Sequence, residues 1–163
     1  GAAWGYTGGS KPYGYKGLGE ISVFLFFGIV ATVGSYFVQV EKINLEIFIV
    51  ATPMGTLACA ILAINNLRDR EQDQIVGKRT LAVRLGDSRA RGLYIALLVT
   101  AHLFALLSLQ PGALITLLAA PLTWNLIRSV LAGATGTELI PFLARTGQLQ
   151  LLFAALFALG LIL

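Results

Sequence analysis

Five long stretches whose interiors hold no Asp, Glu, Lys or Arg decide what this chain can fold into. They run from Glu20 to Val40, Ile47 to Ile64, Gly92 to Gln110, Ala113 to Ile127 and Leu149 to Leu163. Each approaches the roughly 20 apolar residues that cross a bilayer core as a helix. Lipid offers no hydrogen-bond partner to a bare backbone, so only helices or closed barrels can span it. Barrel strands would alternate apolar and polar positions, and these runs do not. The expected fold is therefore all-α, a polytopic membrane bundle of about five helices forming one integral-membrane domain over residues 1–163. Composition agrees: 12% of the residues are charged, against about 25% in a soluble domain.

Five helices separate six polar segments, which must alternate between the two sides. The first, third and fifth carry 11 of the 12 Lys and Arg residues, leaving Lys42 alone on the other side. This asymmetry assigns those three segments to the cytoplasm of an inner (plasma) membrane protein. Dropping one helix would scatter the charges over both sides. A basic surface can also serve nucleic acid, but here the charge lies at a bilayer face and serves orientation, so no nucleic-acid partner is expected. Cys59, the single cysteine, excludes a disulfide within the chain and reads as a small buried apolar residue. The chain opens on Gly1 without a Met, which suggests a part of a longer protein.

The third segment holds the densest chemistry. No Gly or Pro occurs between Asn65 and Val76, so the second helix can continue through Asp73, with Gly77 as its stop. Asp69 and Asp73 then share one helix face. At about 6 Å such carboxylates repel by roughly 2–3 kcal/mol at an effective dielectric near 20. A divalent cation or nearby arginines remove that penalty. Arg68, Arg70, Lys78, Arg79 and Arg84 surround them, and Lys or Arg beside a carboxylate-held cation is what a diphosphate needs. Local ion pairs at a solvated helix end are the plain alternative. Asn65 and Asn66 lie one turn deeper, where polar groups are costly and need partners, and this favours a site. Thr80 or Asp87 is the expected cap of the next helix.

The first segment, Tyr6 to Glu20, is rich in glycine and tyrosine. Its lysines and tyrosines suit either an interfacial belt or, at Lys11, a phosphate contact. The segment from Ala132 to Gly147 is apolar enough for a short interfacial helix, as a lid or a connector. His102 reads as a packed imidazole, Trp124, Asn125 and Arg128 as headgroup anchors, and Pro53 and Pro121 as kinks.

Asn65 to Gly86, in the pattern NN-x-RD-xxx-D-xxx-GKRT-LAVRLG, resembles the second Asp-rich motif of the UbiA superfamily of membrane prenyltransferases, in its menaquinone-pathway branch. The loop YTGGSKPYGYKGLGE, from Tyr6, is similar to that branch's glycine- and tyrosine-rich loop, with Ser10 where Pro is expected. The run Arg145-Thr146-Gly147-Gln148-Leu149-Gln150 also fits. The resemblance implies the C-terminal part of a nine-helix enzyme. That enzyme transfers a polyprenyl group from polyprenyl diphosphate to 1,4-dihydroxy-2-naphthoate with loss of CO2. It further implies that Asp69 and Asp73 are catalytic Mg2+ ligands. Lys78, Arg79 and Arg68 would meet phosphate, Asn65 and Asn66 would line the site, and Tyr6 and Lys11 would lie near the diphosphate or the aromatic ring. The family bears a further Asp-rich motif on an earlier loop, outside this sequence, so half of the metal site is expected here and the isolated segment is expected to be inactive. Other aromatic acceptors (4-hydroxybenzoate, homogentisate) are the nearest alternative. A transporter is a more distant one, since transporters place ionisable groups near the midplane.

Overall fold

The computed structural model describes Trp4, Gly8 and residues 13–162. All regular structure among these residues is helical. A short 3-10 turn, Tyr13–Lys16, precedes α1, Gly19–Val40. The next span is α2 (Leu45–Ile75), and the short α3 (Leu81–Leu85) links it to α4 (Asp87–Leu107). α5 (Pro111–Leu131) and α6 (Gly136–Ile162) complete the five helices that are long and apolar enough to cross a membrane.

The boundaries follow from local chemistry. Asn44 caps α2, its Oδ1 accepting from the Ile47 amide at 3.0 Å, which satisfies one of the free donors of a helix start. The far end closes as expected at Gly77, which has φ +78°. The Lys78 amide donates to the Asp73 carbonyl at 2.8 Å and the Gly77 amide to the Gln74 carbonyl at 3.3 Å. This pair of bonds is a Schellman motif, and the left-handed residue it requires is least costly as glycine. α6 begins earlier than the apolar run implies. Thr135 and Glu138 form a capping box, and the helix then runs on without a break through Arg145 and Thr146. The expected separate interfacial helix before Leu149 is therefore the start of the last span. α2 passes through Pro53 unbroken, whereas Pro121 sits where the 3-10 first part of α5 changes to α.

α2 is the centre of the bundle and packs on α1, α3, α4 and α6, with α5 between α4 and α6. The core lies among α2, α4, α5 and α6, where Leu57, Ile64, Tyr94, Leu98, Leu126, Leu149 and Phe153 are fully buried. His102 belongs to this packing: Nε2 bonds Thr123 at 2.9 Å and the ring stands edge-on to Phe153. Cys59 is buried, as expected, with Sγ donating to the Glu20 carbonyl at 3.0 Å. α1 joins at a close crossing, where a Cβ on Gly28 would lie 2.4 Å from the Gly55 Cα. Its middle, Phe24–Val30, is π-helical. Leu25, Phe26, Phe27, Val30 and Val38 face outward, as suits lipid rather than water.

The loops sort to two ends. The Tyr15 carbonyl accepts from the Arg79 amide at 3.0 Å. Buried Arg91 bonds Asp87 and reaches the Val130 and Ala134 carbonyls at 2.6 and 2.9 Å. These contacts hold the first, third and fifth polar segments together. At the other end Gln110 bonds Glu46. The alternation required by five spans is thus present.

α5 and α6 cross at Gly112 and Gly160, where a Cβ on either would fall about 2.1–2.2 Å from the other's carbonyl oxygen. Gly160→Ala should therefore cost about 1–3 kcal/mol by overpacking. The check is a lower thermal midpoint in detergent, with no such loss for Gly92→Ala, which has open space around it.

Candidate functional site

The polar end of α2 presents one face to a cavity of about 190 Å3. Leu62, Asn65, Asn66, Asp69 and Asp73 line it at helical spacing, and Gly14, Tyr15, Lys78 and Thr80 complete it from the neighbouring segments. The Schellman turn at Gly77 makes this enclosure. It reverses the chain so that Lys78 returns toward Asp73, with Nζ 3.2 Å from Oδ1, and Tyr15 lies beneath the ammonium at 5.1 Å from its ring centroid.

The two carboxylates differ. Asp73 is buried, at 6% exposure, and holds Lys78. Asp69 is more open and takes a two-pronged contact from Arg68, with Nε and Nη2 each 2.7 Å from a carboxylate oxygen. The Asp73 hydrogen bond, ahead of every other influence, raises the Lys78 pKa above its ordinary 10.5. The ion pairs expected for a mere helix end are thus present, yet the paired acids still face a cavity.

Arg79 points elsewhere. It lines an adjoining pocket of about 260 Å3 with Gln74, Gly77 and Val83, and Lys78 is common to both. Tyr6 and Lys11 lie outside the described residues. Thr80 stands at the cap position of α3 without making a side-chain cap. Its hydroxyl is buried without a partner among the described residues, and the residue belongs to the cavity wall. Asp87 opens α4 and bonds Arg91 one turn on, rather than capping from outside. Residue patterns did not single out Glu20, which is buried and accepts from Asn66 Nδ2 at 3.0 Å. The available signal was an acid at the very edge of an apolar run.

Among the described residues no three His, Cys, Asp and Glu side chains converge as a metal site. Two carboxylates on one face with two amides beside them are nevertheless a donor set suited to a hard cation that keeps water and takes further oxygens from a ligand. An apolar space adjoins the cavity. A groove of about 550 Å3 is lined by Val23, Phe27, Ala58, Ile61, Leu62, Asn65, Leu143 and Gln150, and Leu62 and Asn65 belong to both spaces.

The model of the UbiA prenyltransferase family matches residues 1–138. The chain belongs to the UbiA prenyltransferase family. Relatives named 1,4-dihydroxy-2-naphthoate octaprenyltransferase include that of Mycobacterium tuberculosis, 46% identical over 93% of this chain and 53% of its own length. That of Escherichia coli is 43% identical over 99% of this chain and 54% of its own length. The mouse UbiA prenyltransferase domain-containing protein 1 is 33% identical over 97% of this chain and 46% of its own length. The chain thus spans about half the length of the relatives it matches. The first four spans and the Asp69–Asp73 motif fall within the part matched by the UbiA family.

The Lys78 shift has a checkable sign. A raised pKa in the folded state stabilises the fold fully below the unfolded value, and that contribution is lost as pH rises through the folded value. The Lys78–Asp73 link should therefore hold throughout neutral pH and yield only above pH 10.5. In Asp73→Asn the Lys78 midpoint should move down toward 10.5, measured as the pH dependence of amine acylation at Lys78.

Proposed function

We propose that this chain is part of a membrane enzyme that transfers a polyprenyl group from its diphosphate to 1,4-dihydroxy-2-naphthoate, releasing diphosphate and CO2 in menaquinone synthesis. One observation carries the reading: a polar cavity with two carboxylates and a lysine adjoins an apolar groove, and Leu62 and Asn65 line both. That combination matches a substrate with a charged head and a long hydrocarbon tail. The names of the bacterial relatives support the acceptor.

In this reading Asp69 and Asp73 hold Mg2+, with the remaining ligands supplied by the substrate, by water and by a segment beyond these residues. The bound cation would neutralise charge that builds on the departing diphosphate. Lys78 shares that task from the cavity wall, and Arg79 from the adjoining pocket, where the product can lodge after release. The Asp73–Lys78 contact keeps the ammonium charged and aimed at the place where anionic oxygens gather. Arg68 holds Asp69 in its orientation. Val23, Phe27, Ala58 and Ile61 take the tail and exclude water from the reacting end.

The chemistry balances as a substitution. The allylic carbon–oxygen bond breaks and its electron pair leaves with diphosphate. The electron-rich ring carbon that bears the carboxylate attacks the allylic carbon. The bond to the carboxylate then breaks, CO2 departs and its electrons restore the aromatic ring. With the basic segments on the cytoplasmic side, diphosphate leaves at the inner leaflet.

Asp69→Asn and Asp73→Asn, each in the intact protein, should lower prenyl transfer by about two orders of magnitude or more, the scale of removing an electrostatic contact made in the transition state. Unchanged turnover in both at saturating Mg2+ would end the proposal. Ala58→Phe should narrow the groove and raise KM for a long-chain donor more than for a dimethylallyl or geranyl donor, measured with the naphthoate acceptor in membranes.

A further inference from the structure

Glu20 occupies the first turn of α1 and is 8% exposed, against 9% for its partner Asn66. A buried carboxylate is costly unless its oxygens find donors. Here Oε1 accepts from Asn66 Nδ2 at 3.0 Å, while Oε2 is buried without a partner among the described residues. Two contacts pin the residue to α2, one through its side chain and one through its main-chain carbonyl, which accepts from Cys59 Sγ. Such an arrangement contributes little to stability, since apolar residues in its place would often do as well or better. Its value lies in what it does to Asn66.

An ionised carboxylate can only accept hydrogen bonds. Glu20 therefore fixes which end of the Asn66 amide it faces: Nδ2 turns toward Glu20, and Oδ1 is left for the cavity. Asn66 lines that cavity with Asp69 and Asp73, at spacings of three and seven residues that share one helix face. We propose that Glu20 is a positioning residue that locks the Asn66 amide so that its carbonyl oxygen joins the two carboxylates as a third oxygen donor on this face. This rests on reading the cavity as the cation and diphosphate site. Without the lock, the amide can rotate and present two N–H donors to the cation. Partners of this outer kind orient ligands, and losing them typically weakens metal binding about ten- to a hundredfold.

The test uses the intact membrane protein in detergent, with Mg2+ and inorganic diphosphate as probes, binding followed by calorimetry and folding by thermal unfolding. Glu20→Ala and Glu20→Gln should weaken Mg2+-dependent diphosphate binding by about ten- to a hundredfold, with the unfolding midpoint unchanged or raised. Gln keeps the volume but accepts and donates alike, so it loses the enforced orientation. Asn66→Asp should weaken binding at least as much by setting two carboxylates against each other. The double variant E20Q/N66D should recover binding to within a few-fold, because the amide at position 20 now donates and an oxygen at position 66 still faces the cavity. Wild-type binding in both Glu20 variants, or no recovery in the double variant, overturns the assignment. Asp73→Asn separates the two ideas. If it abolishes Mg2+-dependent diphosphate binding while the Glu20 variants bind normally, only the positioning role fails. If it also binds normally, the cavity is not the cation site and both readings fall.

Discussion

The length of α2 against the thickness of a bilayer governs everything else. Its 31 residues extend about 46 Å, while the hydrocarbon core is only about 30 Å deep. The apolar part, from Leu45 to Ile64, uses up that depth. The rest, from Asn65 to Ile75, must project into the headgroup layer and beyond. A helix is stiff and its backbone bonds are internal, so it carries side chains across that boundary in a fixed register. Asn65, Asn66, Asp69 and Asp73 therefore form a ladder that begins at the edge of the lipid and ends in water.

The Schellman turn at Gly77 converts that ladder into an enclosure. A helix that simply frayed would leave Asp73 in solvent. The reversal instead seats Lys78 against Asp73 and places Thr80 on the wall, while the Arg79 amide ties Tyr15 to the same end. Farther out, Arg91 clamps Asp87 to the carbonyls that end α5. The basic residues at this end thus divide their work: Lys78 lines the cavity, and Arg91 fastens the loops that frame it.

The five spans were legible because uncharged runs of this length have few alternatives, and the continuation of α2 was legible because no breaker occurs before Gly77. Boundaries were less so. Hydropathy ends at polar residues, but the backbone does not, so α6 began at Gly136 while the apolar run began at Leu149. The carboxylates of the cavity were evident from their spacing. Thr80 takes the expected cap position but makes no side-chain cap, and nothing local reveals that the residue lies in a cavity wall. Tyr15 and Glu20 could not be placed, because their partners are 63 and 46 residues away in sequence and meet them only in the folded bundle. Arg79 sits in a pocket beside the acids rather than among them, a distinction that adjacency to Lys78 hides.

The π-helical stretch in α1 sets the phase between its two ends. Each residue of an α-helix turns the chain by about 100°, and a wider turn absorbs an added residue without breaking the rod. Upstream, Glu20 meets Asn66. Downstream, Val33 packs with Ile47 and Ala51 of α2. Both ends address one neighbour because the middle is unwound between them. Were Phe24–Val30 tightened to ordinary pitch with every residue kept, the Glu20 end would swing by roughly 100°, a little over a quarter turn, off its partner. The membrane crossing would survive, but the two halves of the helix would no longer look in the same direction.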